Sequence, residues 1–306
     1  MSKFIKILLY PIVFVAALLL FSVLLFPFDS VKNRCAMEIE NAMGGEYQVS
    51  IGKFSPSFPS GAVLKNVEIR PKGDAAAAPI KLSEAKVKVA VMPLLSGAVE
   101  VDFDLKPAQG RASGSYAAKK GSTEVSARLD RFDLGLISFL TKKSGLAISG
   151  VISGDISFEI YPDDPLRNTG KANLQIQSLE LGEISLASGF IQIPPMKLAQ
   201  PGADSKIDVS INRGNLEVKS FQFLGGDLNF DTNGKVYGAR RADNYRFNLK
   251  GSLKPTADME PKLTVLALPD IKKQRTPEGV YPFTITGRLT KPSIRIGDFK
   301  LPIGGS

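Results

Sequence analysis

The 306-residue chain contains no histidine, no tryptophan and one cysteine, Cys35. The missing imidazole excludes histidine-based zinc sites, serine triads and cysteine–histidine dyads. A lone cysteine forms no intramolecular disulfide and no thiolate cluster, so neither a metal nor another cofactor is expected. Paired carboxylates can serve general acid–base chemistry, and Asp102/Asp104 and Asp163-Asp164 are such pairs. Alternation puts the first pair on the wet face of a strand, however, and Pro162 and Pro165 frame the second as a turn. A non-enzymatic protein is the expectation.

Lysine and arginine exceed aspartate and glutamate by nine. Basic groups supply salt-dependent affinity for phosphates, yet these are interleaved with acids along the whole chain. The excess therefore reads as solubility and attraction to an anionic membrane surface, with no nucleic-acid partner.

One hydrophobic run organises the rest. Residues 7–26 carry no charge, and Pro11 and Ser22 are their main interruptions. Ile7, Leu8, Leu9, Phe14, Leu18, Leu19, Leu20, Phe21, Leu24, Leu25 and Phe26 supply its bulk. About 20 apolar residues are needed to cross a bilayer. Lys3 and Lys6 precede the run, which keeps Met1 cytoplasmic and delivers the remainder outward. A cleaved signal has a shorter apolar region ending in a small-x-small site, which is missing here. The expected organisation is a cytoplasmic tail and transmembrane anchor over 1–28, a juxtamembrane helix over 29–45 stopped by Gly44-Gly45, and a β-rich body over 46–306.

Beyond Gly45 the hydrophobic period becomes two. Ala85, Val87, Val89 and Val91 alternate with charged residues, as do Val99, Val101, Phe103 and Leu105. Tyr245, Phe247, Leu249 and Leu253 repeat the pattern, then Tyr281, Phe283, Ile285 and Leu289. Shorter runs at 47–51, 63–69, 125–129, 152–160, 172–176, 207–211, 216–218 and 228–230 fit it as well. Such strands have one greasy and one wet face, and their turn residues argue for an antiparallel meander. Gly225-Gly226 and Asn233-Gly234 read as turns or bulges, and the parity slip from Leu174/Ile176 to Leu179/Leu181 calls for a bulge or break. A short helix is expected from Asp133 to Leu140, a second near 269–273, and loops at 75–78 and 201–205.

So much one-sided sheet needs cover: a two-sheet sandwich, a closed barrel, or a curled sheet with a groove. The candidate groove is Val87, Val89, Val101, Phe103, Tyr245, Phe247, Leu249, Tyr281, Phe283 and Ile285. An acyl chain in such a groove gains about 0.8 kcal/mol per buried methylene.

The order of features resembles a known family. The anchor, then Gly45-Glu46-Tyr47-Gln48-Val49-Ser50-Ile51-Gly52 and Leu64-Lys65-Asn66-Val67-Glu68-Ile69, is similar to the start of AsmA-like envelope proteins. Ala127 to Leu134, a short helix and Leu146 to Gly154 resemble their strand–helix–Gly-strand unit. Phe221 to Leu228, Gly234, Leu253-Lys254-Pro255 and the ending Gly287 to Ile294 resemble the type II secretion system protein N (GspN) family. The resemblance implies a mainly β, AsmA-like groove or sandwich behind a single inner-membrane helix. It also implies a periplasmic body, the inner-membrane platform and the secretin as partners, and phospholipid as an alternative ligand. It carries no catalytic residues.

Overall fold

The computed structural model describes residues 28–57, 60–73, 79–136, 147–186, 191–263, 266 and 268–301. The hydrophobic run 7–26, the loop 75–78 and most of the helix expected after Asp133 lie outside them. Among the described residues no helix is long and apolar enough to cross a membrane.

The protein is mainly β. Its strands are β1 (Tyr47–Ser57), β2 (Gly61–Pro71), β3 (Ile80–Val89), β4 (Val99–Pro107), β5 (Arg111–Lys119), β6 (Ser122–Asp133), β7 (Ile148–Ile160), β8 (Thr169–Leu181), β9 (Ile184–Leu186), β10 (Ile191–Ile193), β11 (Met196–Lys197), β12 (Ser205–Asn212), β13 (Asn215–Phe223), β14 (Leu228–Tyr237), β15 (Arg246–Pro255), β16 (Tyr281–Arg288), β17 (Lys291–Ile296) and β18 (Phe299–Lys300). All but β9 and β10, which pair with each other, belong to one 16-stranded antiparallel sheet. Its order is nearly the order of the chain, with β12 beside β8 and β11 alongside the end of β8. The path begins at β1 and ends at β18, and these strands do not pair with each other. A closed barrel and a sandwich of two large sheets are thereby excluded for the described residues.

Among the described residues the α-helices α1 (Phe28–Ala42), α2 (Val91–Leu95) and α3 (Pro269–Lys272) accompany the sheet. Helix α1 packs Cys35, Ala36 and Ile39 against a small core of Val49, Ile51, Leu64, Val67 and Ala85. It stops at Gly44 and Gly45, whose positive φ angles of 75° and 71° favour glycine. Glu40 then accepts from the Val49 amide at 2.8 Å and from Lys72 at 3.1 Å, fastening the helix to β1 and β2.

The larger core lies at one end of the strands, where residues 194–204 and the described residues of the β15–β16 connection, 256–263, 266 and 268–280, close over the sheet. Met196, Leu198 and Ala199 from the first segment, with Met259, Leu263, Leu266 and Ile271 from the second, pack with Ile176, Phe223, Tyr281 and Phe283. The Phe230 ring bridges this group, 5.8 Å from Phe221 and stacked at 5.6 Å on Phe283.

Several expectations need correction. Val91 opens α2 instead of extending β3. Asp133 ends β6, with helical backbone starting at Gly135, whose amide donates to Asp133, and its continuation lying outside the described residues. Tyr245 and Leu289 fall just outside β15 and β16. Asn233-Gly234 is no turn: it lies inside β14, and the bulge is on β13, where Lys219 and Ser220 stand opposite Asn233. Ser205 is no loop residue but the buried first residue of β12, accepting from the Leu224 amide at 2.9 Å. The parity slip in β8 is resolved by a bulge at Ser178, whose φ is 54°, opposite Gly150. Gly225-Gly226 does fall in the connection between β13 and β14.

Glycine also makes room for aromatics across the sheet. Phe103, Phe158 and Phe283 each stand opposite a glycine (Gly114, Gly170 and Gly251), with the ring over the neighbour that has no side chain. A Cβ at Gly251 would collide with the Asp231 carbonyl and the Phe283 ring. Gly251→Val should therefore cost about 1–3 kcal/mol in denaturant unfolding through overpacking. Gly73→Ala, in a turn where a Cβ meets nothing within 4 Å, should leave stability within about 0.5 kcal/mol.

Candidate functional site: a graded apolar face

Strand register brings residues far apart in sequence into transverse rows on one face. The first row runs Ala85, Leu105, Ala112, Leu129, Gly154, Leu174, Ile207, Phe221, Thr232, Gly251, Phe283, Ile296. The second runs Val87, Phe103, Gly114, Ala127, Ile156, Ala172, Val209, Val218, Gly234, Leu249, Ile285, Ile294. The third runs Val89, Val101, Tyr116, Val125, Phe158, Gly170, Ile211, Leu216, Val236, Phe247, Gly287, Pro292. Each row crosses the same 12 strands, and Thr232 and Tyr116 are the two positions that bring a hydroxyl to them. Thr232 satisfies its hydroxyl by donating to the Lys250 carbonyl at 3.0 Å.

Cover decreases from row to row. Six positions of the first row are buried: Ala85, Ala112, Leu174, Thr232, Phe283 and Ile296. In the second row only Ala172 and Val218 are buried, and in the third only Val236. The remaining side chains of the third row are half-exposed, apart from Tyr116, which is exposed. The segments that close the first row's end do not reach this far.

The candidate groove residues distribute along this gradient. Val87, Phe103, Leu249 and Ile285 lie in the second row, and Val89, Val101 and Phe247 in the third, all half-exposed. Phe283 and Tyr281 belong to the covered core. Tyr245 lies on the β14–β15 connection at the open end. Sequence reasoning missed Ile156, Phe158, Val209, Ile211, Leu216 and Val236, which share the face. Their alternation was legible, but the rows they join are set by pairings that a single strand does not display.

The opposite face is polar and ion-paired. Arg111 donates to both carboxylate oxygens of Asp104 at 2.7 and 2.8 Å, and Arg128 to Asp155 at 2.8 Å. Glu84 meets Lys106 at 2.9 Å, Lys86 at 3.4 Å and Lys65 at 3.8 Å. Hydrogen bonding from Arg111 holds the Asp104 carboxyl below its usual value, and Lys106 does the same for Glu84. Carboxyls depressed in this way stabilise the fold above the usual carboxylate range, and the contribution is lost as pH falls through their lowered values. Asp102 stands across from Lys88, with its neighbour Asp104 tied to Arg111; Asp163 and Asp164 sit in the β7–β8 connection. The two pairs are not brought together, and neither faces the apolar rows. Among the described residues no group of three or more potential ligands could hold a metal ion. A shallow depression between β2 and β3 contains Glu68 and Lys81, which pair with each other at 3.7 Å.

One polar contact fastens the closing segment. Tyr281, fully buried, donates its phenol to Glu260 at 2.5 Å, and Arg275 approaches the other oxygen of that carboxylate at 3.5 Å. Burial, then the hydrogen bond to Glu260, pushes the Tyr281 phenol up to about 12. No family model, curated protein or solved structure matches the chain.

A phenol raised on folding stabilises the protein below its unfolded value and loses that contribution above it. Stability should therefore fall as pH rises from about 10, the ordinary tyrosine value, toward 12. Tyr281→Phe should flatten this alkaline limb and lower stability at neutral pH by about 1–3 kcal/mol, since Glu260 loses its donor; chemical denaturation across that pH range measures both.

Proposed function

We propose that this chain is a non-enzymatic binding scaffold of the bacterial envelope, with the apolar rows as its working surface. The observation that carries this reading is the exposure gradient: across twelve strands the side chains of the second and third rows are mostly half-exposed, where half of the first row is buried. We read the sheet as curled into a trough, since curvature half-buries a face that no second layer covers. Behind the expected anchor over 1–28, the trough stands on the periplasmic side of the inner membrane. The resemblance to the GspN family supports a place in the type II secretion system, contributing to export of folded proteins through protein contacts with the inner-membrane platform and the secretin. Strand pairing to a partner is open to this sheet, because β1 and β18 each end it.

The trough itself favours a second reading, in which it holds phospholipid acyl chains in an AsmA-like manner. Each methylene buried there contributes about 0.8 kcal/mol, so a few contacts along one row suffice for binding.

Two measurements separate the readings. Under the secretion reading, deletion of the gene blocks release of folded exoproteins, and the full chain co-purifies with platform and secretin components; normal secretion would refute it. Under the lipid reading, a photo-crosslinking residue at Leu249 captures phospholipid in cells while one at Asp155, on the polar face, does not. Protein alone captured at Leu249 would refute lipid as the occupant. Phe247→Asp should abolish lipid capture and leave the fold intact, because Phe247 is half-exposed.

A further inference from the structure

The two ends of the strands expose different chemistry. Twelve large hydrophobic side chains are exposed among the described residues, and all but Met37 on α1 and Leu268 on the closing segment lie at or beyond the third row. Helix α2, in the β3–β4 connection, presents Met92 at 77% and Leu95 at 79% exposure. On the β16–β17 turn, Leu289 is 47% exposed, and its amide donates to the Tyr245 carbonyl at 2.8 Å. Apolar side chains scattered singly need no explanation, whereas an aligned edge of them marks an interaction surface.

Unpaired cations stand along the same edge. Register puts Arg246 beside Arg288 and Arg288 beside Lys291, on the face away from the apolar rows. Like charges directly opposite each other destabilise a sheet, and none of these three forms an ion pair among the described residues. From β12 to β17 this edge has one carboxylate, Asp243, already paired with Arg241 at 3.4 Å. At the closed end Lys273 pairs with Asp270 at 3.1 Å and Arg275 with Glu260 at 3.5 Å, and Arg295 and Lys300 stand opposite each other as like charges there. What separates the two ends is the run of exposed hydrophobic side chains that accompanies the open-end cations.

Among the described residues nothing supplies the counter-charge, and the cations stand beside groups that prefer an apolar medium. Headgroups of anionic lipid meet both demands. Apolar side chains settle at the headgroup–acyl boundary, and lysines and arginines draw anionic lipid to the same depth. Nucleic acid or an acidic protein would answer the cations and leave the hydrophobic tips in water. We propose that this edge docks on the surface of an anionic phospholipid bilayer, laying the open side of the trough against the headgroup layer. Docking uses the trough's open side and is independent of the secretion reading.

The full chain carrying Cys35→Ala and a polarity-sensitive dye on Leu289→Cys is mixed with vesicles of phosphatidylcholine and phosphatidylglycerol that contain a brominated quencher lipid. Blue-shifted, quenched dye is expected at Leu289→Cys and Met92→Cys, and aqueous dye at Leu268→Cys near the closed end. Pure phosphatidylcholine, or molar salt with its screening length of about 3 Å, should abolish the rim quenching. Arg246→Gln and Arg288→Gln should each lower the docked-to-free ratio about fivefold. Aqueous dye at both rim positions on vesicle-bound chain overturns the proposal, as does equal quenching at Leu268→Cys or failure to bind vesicles at all. Rim quenching in chain that alkaline carbonate strips from the vesicles upholds it while refuting the transmembrane anchor.

Discussion

An antiparallel sheet with one apolar face has to hide that face, and in this protein the hiding is incomplete by construction. Period-two alternation over a dozen strands generates far more apolar surface than the short helices can cover. Among the described residues, cover comes from two connecting segments, from Leu134 after β6 and from α1. They sit where Met196, Leu266, Ile271 and Tyr281 make a dry core, and around Val49 and Val67 beneath the helix. Over the rest of the face the hydrophobic residues have no lid among the described residues. Cover and its absence thus occur on a single continuous surface and differ only by position along the strands.

Backbone irregularities fall mostly on the covered side of the rows. Asn66, Arg131 and Ser178 have φ of 52°, 47° and 54°, values at which side chains other than glycine are uncommon. Arg131 and Ser178 coincide with register shifts between β6 and β7 and between β7 and β8. A bulge re-aims the residues after it and bends its strand, so Phe132, Ile152 and Leu179 recover the core face after each shift. The Arg131 amide finds a partner in the Ser153 hydroxyl at 2.9 Å, which keeps the bulged backbone satisfied. The open side is more regular: between the second and third rows the strands pair without a shift.

Much of this was legible in sequence because a strand's two faces are written into neighbouring residues. The runs at 85–89, 99–105 and 246–253 gave both the element and its apolar face, and the slip after Ile176 announced the bulge at Ser178. Long-range pairing was not legible. Nothing near Phe283 says that Gly251 lies beneath it, and nothing near Arg246 says that Arg288 and then Lys291 stand alongside. Local strand signals are likewise blind to cover: Tyr281 and Phe247 are both aromatics in alternating runs, yet one is sealed under the described residues of the β15–β16 connection and the other is half-exposed. That difference arises from a connection that folds back over the sheet, and connections carry no periodicity to read.

The half-exposed third row is the feature on which the proposed binding role rests most directly. Positions near strand ends tolerate polar residues readily, and an apolar row left in water is a liability for aggregation. A chain that needed the face only for stability would keep the first row and lose the third to serine, threonine or lysine, as the opposite face does at Ser115, Ser126, Ser157 and Lys171. Instead Val89, Val101, Phe158, Ile211, Leu216 and Phe247 continue the apolar surface to the ends of the strands. The proposed role in binding rests on this continuation: an apolar side chain at a strand end adds little to the core and becomes useful when something apolar lies against it.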